Sequence, residues 1–350
     1  MTVKYDYLVI GAGISGAAAA YELAQYGSVA LIEAETAPGY HSTGRSAALY
    51  TPNYGSATVR RINQVSSAFF TDPPAGFCEC PLLTPRGLLV IAGPGEEDRL
   101  TPILDMSGAG GAIEKITAAH ALELAPLLRP ERVAAAAYER GVTDIDVSAL
   151  HQGYLRGVKD RGGVVICGSR IQRLDRSGTY WQAVAGDTVV SGRVIVNAAG
   201  AWAGQIGEMA GAAPIGLVPK RRTAIIVDPP SPAMNIDAMP AIDYAVGDAY
   251  LKPDAGRIMA SPGDQTPVEP QDVRPEEWDI AVLVDWLERE TLIPVRRIAH
   301  SWAGLRSFVA DETPVVGFDS TIPDFFWLAG QGGYGIMMAP ALGRVTASLI

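Results

Sequence analysis

The order of apolar and polar positions near the start of the chain predicts a strand, a helix and a second strand. Tyr5 to Ile10 is a short β-branched and aromatic run, followed by the turn Gly11-Ala12-Gly13-Ile14-Ser15-Gly16 and an Ala-rich helix through Gln25. Gly27 closes that helix, and Ser28 to Glu33 is a second apolar run ending on an acid, so the opening reads as one β-α-β unit. His41 to Tyr54 is rich in small polar residues without periodicity and reads as a loop. Leu88 to Ile91 is strand-like, Ser107 to Gly111 is a Gly-rich break, and Ala118 to Leu128 is helical. Asp146 to Asp160 has the pattern of an amphipathic helix capped by Asp146 or Ser148, with Leu150, Tyr154 and Val158 on one face. Val164 to Cys167 and Arg193 to Asn197 resemble returning strands. Leu217 to Met259 alternates strands with a Pro-rich loop, and Trp278 to Leu292 predicts a helix.

Composition narrows the function. The 350 residues, 48% of them hydrophobic, can bury the cores of about two domains. A formal charge of -10 disfavours neutralisation of a polyphosphate, so a small-molecule partner is expected and not nucleic acid. No apolar run reaches the length of a transmembrane helix and no basic head precedes a cleavable one, which predicts a cytoplasmic protein, with peripheral membrane contact left open. Cys78 and Cys80 lack two further nearby ligands, so no metal site is expected.

The glycine spacing carries its own chemistry. Gly11 makes the tight turn, Gly13 lets backbone approach a pyrophosphate, and Gly16 permits close packing of helix on strand, while Ile14 and Ser15 begin a helix whose N-terminus faces the phosphates. Glu33 ends the second strand where a ribose 2′-hydroxyl would donate to it, which disfavours a 2′-phosphate. These residues do not separate FAD from NAD.

Further segments do. His41-Ser42-Thr43-Gly44-Arg45-Ser46-Ala47-Ala48, Val194 to Trp202, Trp302-Ala303-Gly304-Leu305-Arg306 and Gln331-Gly332-Gly333-Tyr334-Gly335 resemble the flavin-contacting segments of the D-amino-acid oxidase and dehydrogenase family. Within it the likeness is greatest to the bacterial D-arginine dehydrogenases, and Pro219 to Arg222 and Tyr250 to Gly256 extend it over nearly the whole chain. The resemblance implies an α/β, two-domain flavoprotein: a Rossmann-like FAD domain (1–80, 143–205, 302–350) and an interleaved α+β substrate domain on a mixed or antiparallel sheet (81–142, 206–301). It implies non-covalent FAD lined by Gly11, Gly13, Ile14, Ser15, Gly16, Glu33, Ser42, Thr43, Ser46, Ala47, Ala48, Ile171, Ala199, Gly200, Trp202, Gly304, Gly332, Gly333, Tyr334, Gly335 and Ile336. A Gly-Gly-x-Gly turn feeding a helix at Ile336 independently suggests backbone N–H groups facing an electron-rich ring.

The resemblance places Tyr54, Arg222, Tyr250, Arg306 and Gly333 in the catalytic set. Arg306 sits in the apolar run Trp302 to Ala310, and Arg222 opens the strand Thr223 to Val227 with Arg221 on the opposite face. On residue type alone either arginine could make a structural salt bridge, and the tyrosines could simply pack at a domain boundary. As the resemblance has it, both arginines clamp a substrate carboxylate and the tyrosines contact substrate. It also implies a lid over Ile242 to Ala249 and hydride transfer from Cα to the flavin, with no His, Lys or acid in position as general base. The acceptor that reoxidises the flavin is expected to be a quinone or other carrier in preference to oxygen.

The pocket departs from the arginine enzymes, which carry a glutamate where this chain has Leu88, a histidine at Leu49 and a glutamine at Met337. Thr51 is the remaining pocket position. A guanidinium against Leu88 would cost several kcal/mol, whereas an apolar side chain would gain about 25 cal/mol per Å² covered. Neutral hydrophobic D-amino acids are therefore expected over D-arginine and D-lysine, unless Asp243 or Asp248 compensates. The alternative is a glycine or sarcosine oxidase of the same fold.

Overall fold

The opening pattern folds as read, into the strand Lys4–Ile10, the helix Ile14–Leu23 and the strand Val29–Ile32. The architecture comes from a computed structural model that describes residues 3–108, 111–247 and 249–350. Lys4–Ile10 runs parallel to Val29–Ile32 on one side and to Thr188–Asn197 on the other. Val164–Ile166 and Phe325–Ala329 extend the parallel sheet outward. Both faces are covered, which is why Val29–Ile32 and Phe325–Ala329 are buried at every position instead of alternating. One core joins this sheet to the helices Ile14–Leu23, Val147–Asp160 and Gly335–Leu349; a second lies on the opposite face around Leu8, Ile195 and Phe325. Asp146 caps its helix as expected, its carboxylate accepting from the Ala149 N–H at 2.7 Å.

A second eight-stranded sheet runs in the order Ile298–Phe308, Val218–Val227, Arg257–Ser261, Tyr250–Asp254, Ala241–Tyr244, Leu88–Ala92, Ala135–Glu139, Glu114–Thr117. It is antiparallel except where Ala241–Tyr244 meets Leu88–Ala92. Alternation divides its faces. Ile225, Leu251, Ile258, Ala260 and Leu89 pack with Leu283 and Leu287 of the helix Glu277–Glu290. Arg222, Ala224, Tyr250, Met259, Gly304 and Arg306 line a cleft on the other side. This is the expected α/β pairing of a Rossmann-like sheet with a mixed second sheet.

Three local readings change. The segment His41 to Tyr54 contains a two-residue strand, Leu49–Tyr50, in a three-stranded sheet with Thr143–Ile145 and Leu83–Pro85; two residues are too few to show periodicity. The helix expected to Leu128 ends at Leu124. The domain junction expected between 301 and 302 falls inside the strand Ile298–Phe308, whose hydrogen bonds to Val218–Val227 carry Gly304 and Arg306 on the second sheet. Among the described residues no helix is long and apolar enough to cross a membrane.

Candidate active site

A single cleft runs between the two sheets, from the first glycine turn to the second. At its nucleotide end, Gly11 adopts φ +99°, and a Cβ there would stand 2.5 Å from the Ala198 carbonyl oxygen. A Cβ on Gly16 would lie 1.8 Å from the Gly11 carbonyl oxygen, so this glycine lets the helix seat directly on the turn. Gly13 differs, since a Cβ there would meet only the Thr43 hydroxyl, at 3.2 Å. The first and third glycines are therefore demanded by protein packing, and the second faces the space a ligand occupies. Glu33 is buried, and its carboxylate accepts from the N–H of Ala12 at 2.8 Å and of Glu35 at 3.0 Å. Thr43 Oγ1 accepts from the Ile14 N–H at 2.9 Å, which ties the Ser/Thr loop to the helix start. Behind the turn, His151 Nε2 donates to the Ala12 carbonyl at 2.9 Å, and burial pushes its pKa below the ordinary value.

The other end is different in kind. Arg221 and Arg222 are neighbours on one strand and point to opposite faces. Arg221 is buried among Glu276, Asp279 at 2.9 Å and Asp264 at 3.6 Å. Arg222 has no carboxylate partner among the described residues, and its buried Nε makes no hydrogen bond. Burial first, and the Arg306 guanidinium second, hold the Arg222 pKa below its usual value. Arg306 likewise forms no ion pair among the described residues; its Nη2 donates to the Tyr250 hydroxyl at 3.4 Å. Gly333 makes this placement possible, because a Cβ there would lie 2.9 Å from Arg306 Nη1. Two adjacent cations on a half-buried wall, with no ion pair among the described residues, make an electropositive patch in the cleft.

Most of the residues expected around the cofactor come together on this cleft: Gly11, Gly13, Ile14, Ser15, Glu33, Ser42, Thr43, Ser46, Ala47, Ile171, Ala199, Gly200, Trp202, Gly304, Gly332, Gly333, Gly335 and Ile336. Gly16, Ala48 and Tyr334 are not among the lining residues. The helix Gly335–Leu349 begins at the cleft with no side-chain cap, so its first N–H groups are left for a ligand. The open Gly13 position, the presented Glu33 carboxylate and this uncapped helix fit a dinucleotide carrying an electron-rich ring.

The expected substrate residues divide. Arg222, Tyr250 and Arg306 line the cleft, whereas Leu49, Thr51, Tyr54, Leu88 and Met337 do not. Tyr54 stacks against Tyr334 with ring centroids 5.2 Å apart, and the Thr51 N–H points at Met337 Sδ, 3.2 Å away. Burial, with Tyr54 alongside, pushes the Tyr334 hydroxyl up to about 12. Of the lid acids, Asp243 pairs in register with Val90, and Asp248 lies outside the described residues. An acid that the sequence did not suggest, Glu139, sits opposite Leu88 in cross-strand register, buried and holding Asn53 Nδ2 at 2.9 Å. Burial raises its pKa. Gln331, of the expected flavin-contacting segment and with no partner for its buried Nε2 among the described residues, lines the cleft, and so does Met259, which the sequence did not single out. Only the register of distant strands puts Glu139 opposite Leu88 and Met259 on the cleft.

The sequence matches the family described as DAO, FAD dependent oxidoreductase, over residues 6–349. The chain belongs to this family. It is 23% identical to glycine oxidase from Geobacillus kaustophilus (strain HTA426), covering 100% of this chain and 94% of the relative. It is 24% identical to human mitochondrial dimethylglycine dehydrogenase, covering 99% of this chain and 42% of that protein. Among solved structures, L-α-glycerophosphate oxidase from Mycoplasma pneumoniae superposes with a TM-score of 0.88 at 17% identity, covering 99% and 94%. L-proline dehydrogenase from P. horikoshii does so with 0.86 at 24%, covering 100% and 94%. The protein is thus an FAD-dependent oxidoreductase, with the glycine cradle, Glu33 and the Ser42–Ala47 loop as the residues that would hold the cofactor.

Proposed function

We propose that this protein oxidises the amino group of an α-amino acid whose carboxylate is held by Arg222 and Arg306, with D-amino acids bearing neutral apolar side chains as preferred substrates. The observation that carries the reading is the pair of half-buried guanidiniums with no ion pair among the described residues, one residue along the strand from the neutralised Arg221. Two charge-assisted hydrogen bonds to the carboxylate fix the orientation of Cα, and positioning of this kind supplies much of the rate. Tyr250, beside Arg306, adds a hydroxyl to that anchor. Bound FAD supplies the acceptor for the hydride that leaves Cα. The amine gives its proton to water or to a tyrosine-linked water, and the imine product hydrolyses to a 2-oxo acid and ammonia. The D configuration and a quinone or other carrier as final acceptor rest on the family resemblance. Replacement of acid by Leu88 supports neutral side chains, since Glu139 beside it is already engaged by Asn53.

Rapid anaerobic loss of the visible flavin absorbance on mixing with a D-amino acid, and its persistence with the L-enantiomer, is the expected result. Steady-state kinetics should give D-leucine, D-methionine or D-phenylalanine a higher kcat/KM than D-arginine or D-lysine; the reverse order would sink the apolar-pocket argument. Hydrogen peroxide far below one per turnover supports a carrier as acceptor.

A second reading, oxidation of glycine or an N-methylated glycine, is favoured by the absence of Leu49, Leu88 and Met337 from the cleft lining. The named activities of the glycine oxidase and dimethylglycine dehydrogenase relatives point the same way. Glycine or sarcosine outpacing every D-amino acid in the same panel would establish it.

A further inference from the structure

Behind the cofactor wall lies a cluster of three charges, Lys252 buried and Asp144 and Arg86 half-buried, that the substrate chemistry does not use. Lys252, only 5% exposed, follows the cleft-lining Tyr250 by two residues and therefore faces the same side of the sheet. Its cross-strand partner is Met259, itself on the cleft wall. The ammonium donates to the Asp144 carboxylate at 2.6 Å and to the Ala47 carbonyl at 3.1 Å. Asp144 also accepts from Arg86, at 2.7 Å, whose other nitrogen donates to the carbonyls of Asp237 at 2.6 Å and Met239 at 3.0 Å. Two cations share one carboxylate, so the cluster carries a net positive charge.

Its placement gives that charge something to act on. Ala47 belongs to the loop whose Ser42, Thr43, Ser46 and Ala47 line the cofactor cleft, and the next residue, Ala48, is held at φ +59°. An alanine in the left-handed region persists only where neighbours enforce it. The Lys252 bond to Ala47 and the Ile145 N–H bond to the Ala48 carbonyl, at 2.8 Å, do so here. The lysine thus bridges the substrate sheet, the cofactor loop and, through Asp144 and Arg86, the segment entering the strand Ala241–Tyr244. A lysine placed only for packing would not require the half-neutralised company of a second cation, which a buried site disfavours unless a negative group compensates.

We infer that Lys252 is a positioning residue for the cofactor: with Asp144 and Arg86 it fixes the Ser42–Ala48 loop and lends the cleft a positive field that favours the reduced flavin. A single buried charge beside the cofactor cleft, at an effective dielectric of about 20, should change the reduction equilibrium about tenfold. For a two-electron couple that is about 30 mV.

The midpoint potential of the holoenzyme, measured by spectroelectrochemistry in three variants, tests this. Lys252→Met should lower the potential by about that amount, and Asp144→Asn, which removes the only negative charge of the cluster, should raise it. Lys252→Arg should stay near the parent. Opposite signs support the inference, whereas shifts of the same sign in Lys252→Met and Asp144→Asn indicate a clamp that merely loosens, and overturn it. Should Lys252→Met fail to retain flavin, Asp144→Asn decides alone: a raised potential supports the field, and an unmoved or lowered one refutes it.

Discussion

The two ends of the cleft solve opposite problems. At the nucleotide end nearly every polar group is satisfied by the protein: Glu33 by Ala12 and Glu35, Thr43 by Ile14, and the Ala12 carbonyl by His151. At the other end Arg222 and Arg306 lie close enough for each guanidinium to act on the other and form no ion pair among the described residues. A pre-satisfied cradle binds by shape and backbone approach, at little reorganisation cost. A pair of uncompensated cations is a standing electrostatic penalty that the correct ligand relieves, so binding and specificity concentrate there. At the first end Gly11 and Gly16 leave no room for an added Cβ, and the second end is set by charge.

Breaking the cradle should have the largest effect. Gly16→Ala drives a Cβ to 1.8 Å from backbone oxygen, and the purified variant is expected to be colourless, with no flavin absorbance. Retention of stoichiometric FAD would show that the cradle yields more than its packing suggests.

The contrast between adjacent arginines sharpens the comparison next. Arg222→Met should lower kcat/KM about thirtyfold, from the loss of one charge-assisted bond of about 2 kcal/mol, while leaving thermal stability unchanged or raised as a desolvated like charge disappears. Arg221→Met should destabilise by about 3 kcal/mol, because Asp264 and Asp279 lose their counter-ion. Denaturant unfolding set against kinetics separates the two, and equal effects on both readouts would erase the distinction.

A smaller effect is expected from pH at the nucleotide end. The His151 pKa is lowered in the fold, so the unfolded chain takes up its proton first. Its contribution to stability is present in full above the unfolded value of about 6.5, and is lost as pH falls from there through the folded pKa. His151→Gln should flatten that part of the stability profile; an unchanged slope in this window would assign the slope to other groups.

The smallest effect should come from Glu139→Gln. With Asn53 still hydrogen-bonded, the kcat/KM for D-leucine should change by less than about twofold, while Leu88→Glu should raise the D-arginine to D-leucine ratio. A large loss for D-leucine in Glu139→Gln would move Glu139 from the wall into the substrate site.

What could be read from the chain alone follows from range. The β-α-β opening, the roles of Gly11 and Gly16 and the place of Glu33 depend on residues within about twenty positions of one another, where spacing translates directly into geometry. The helix capped by Asp146 is local in the same way. Arg221 and Arg222, by contrast, are indistinguishable in sequence beyond their opposite faces. Which of them is neutralised was decided by Asp264, Glu276 and Asp279, brought in from far along the chain. Glu139 opposite Leu88, Lys252 bonded to Ala47 and the absence of Leu49 and Met337 from the cleft lining depend likewise on strand register and inter-sheet packing. Cross-strand neighbours are set by hydrogen-bond ladders between segments tens to hundreds of residues apart, so no local pattern encodes them. The sequence by itself determined the cofactor's cradle; the tertiary structure alone decided which charges stand open to a substrate.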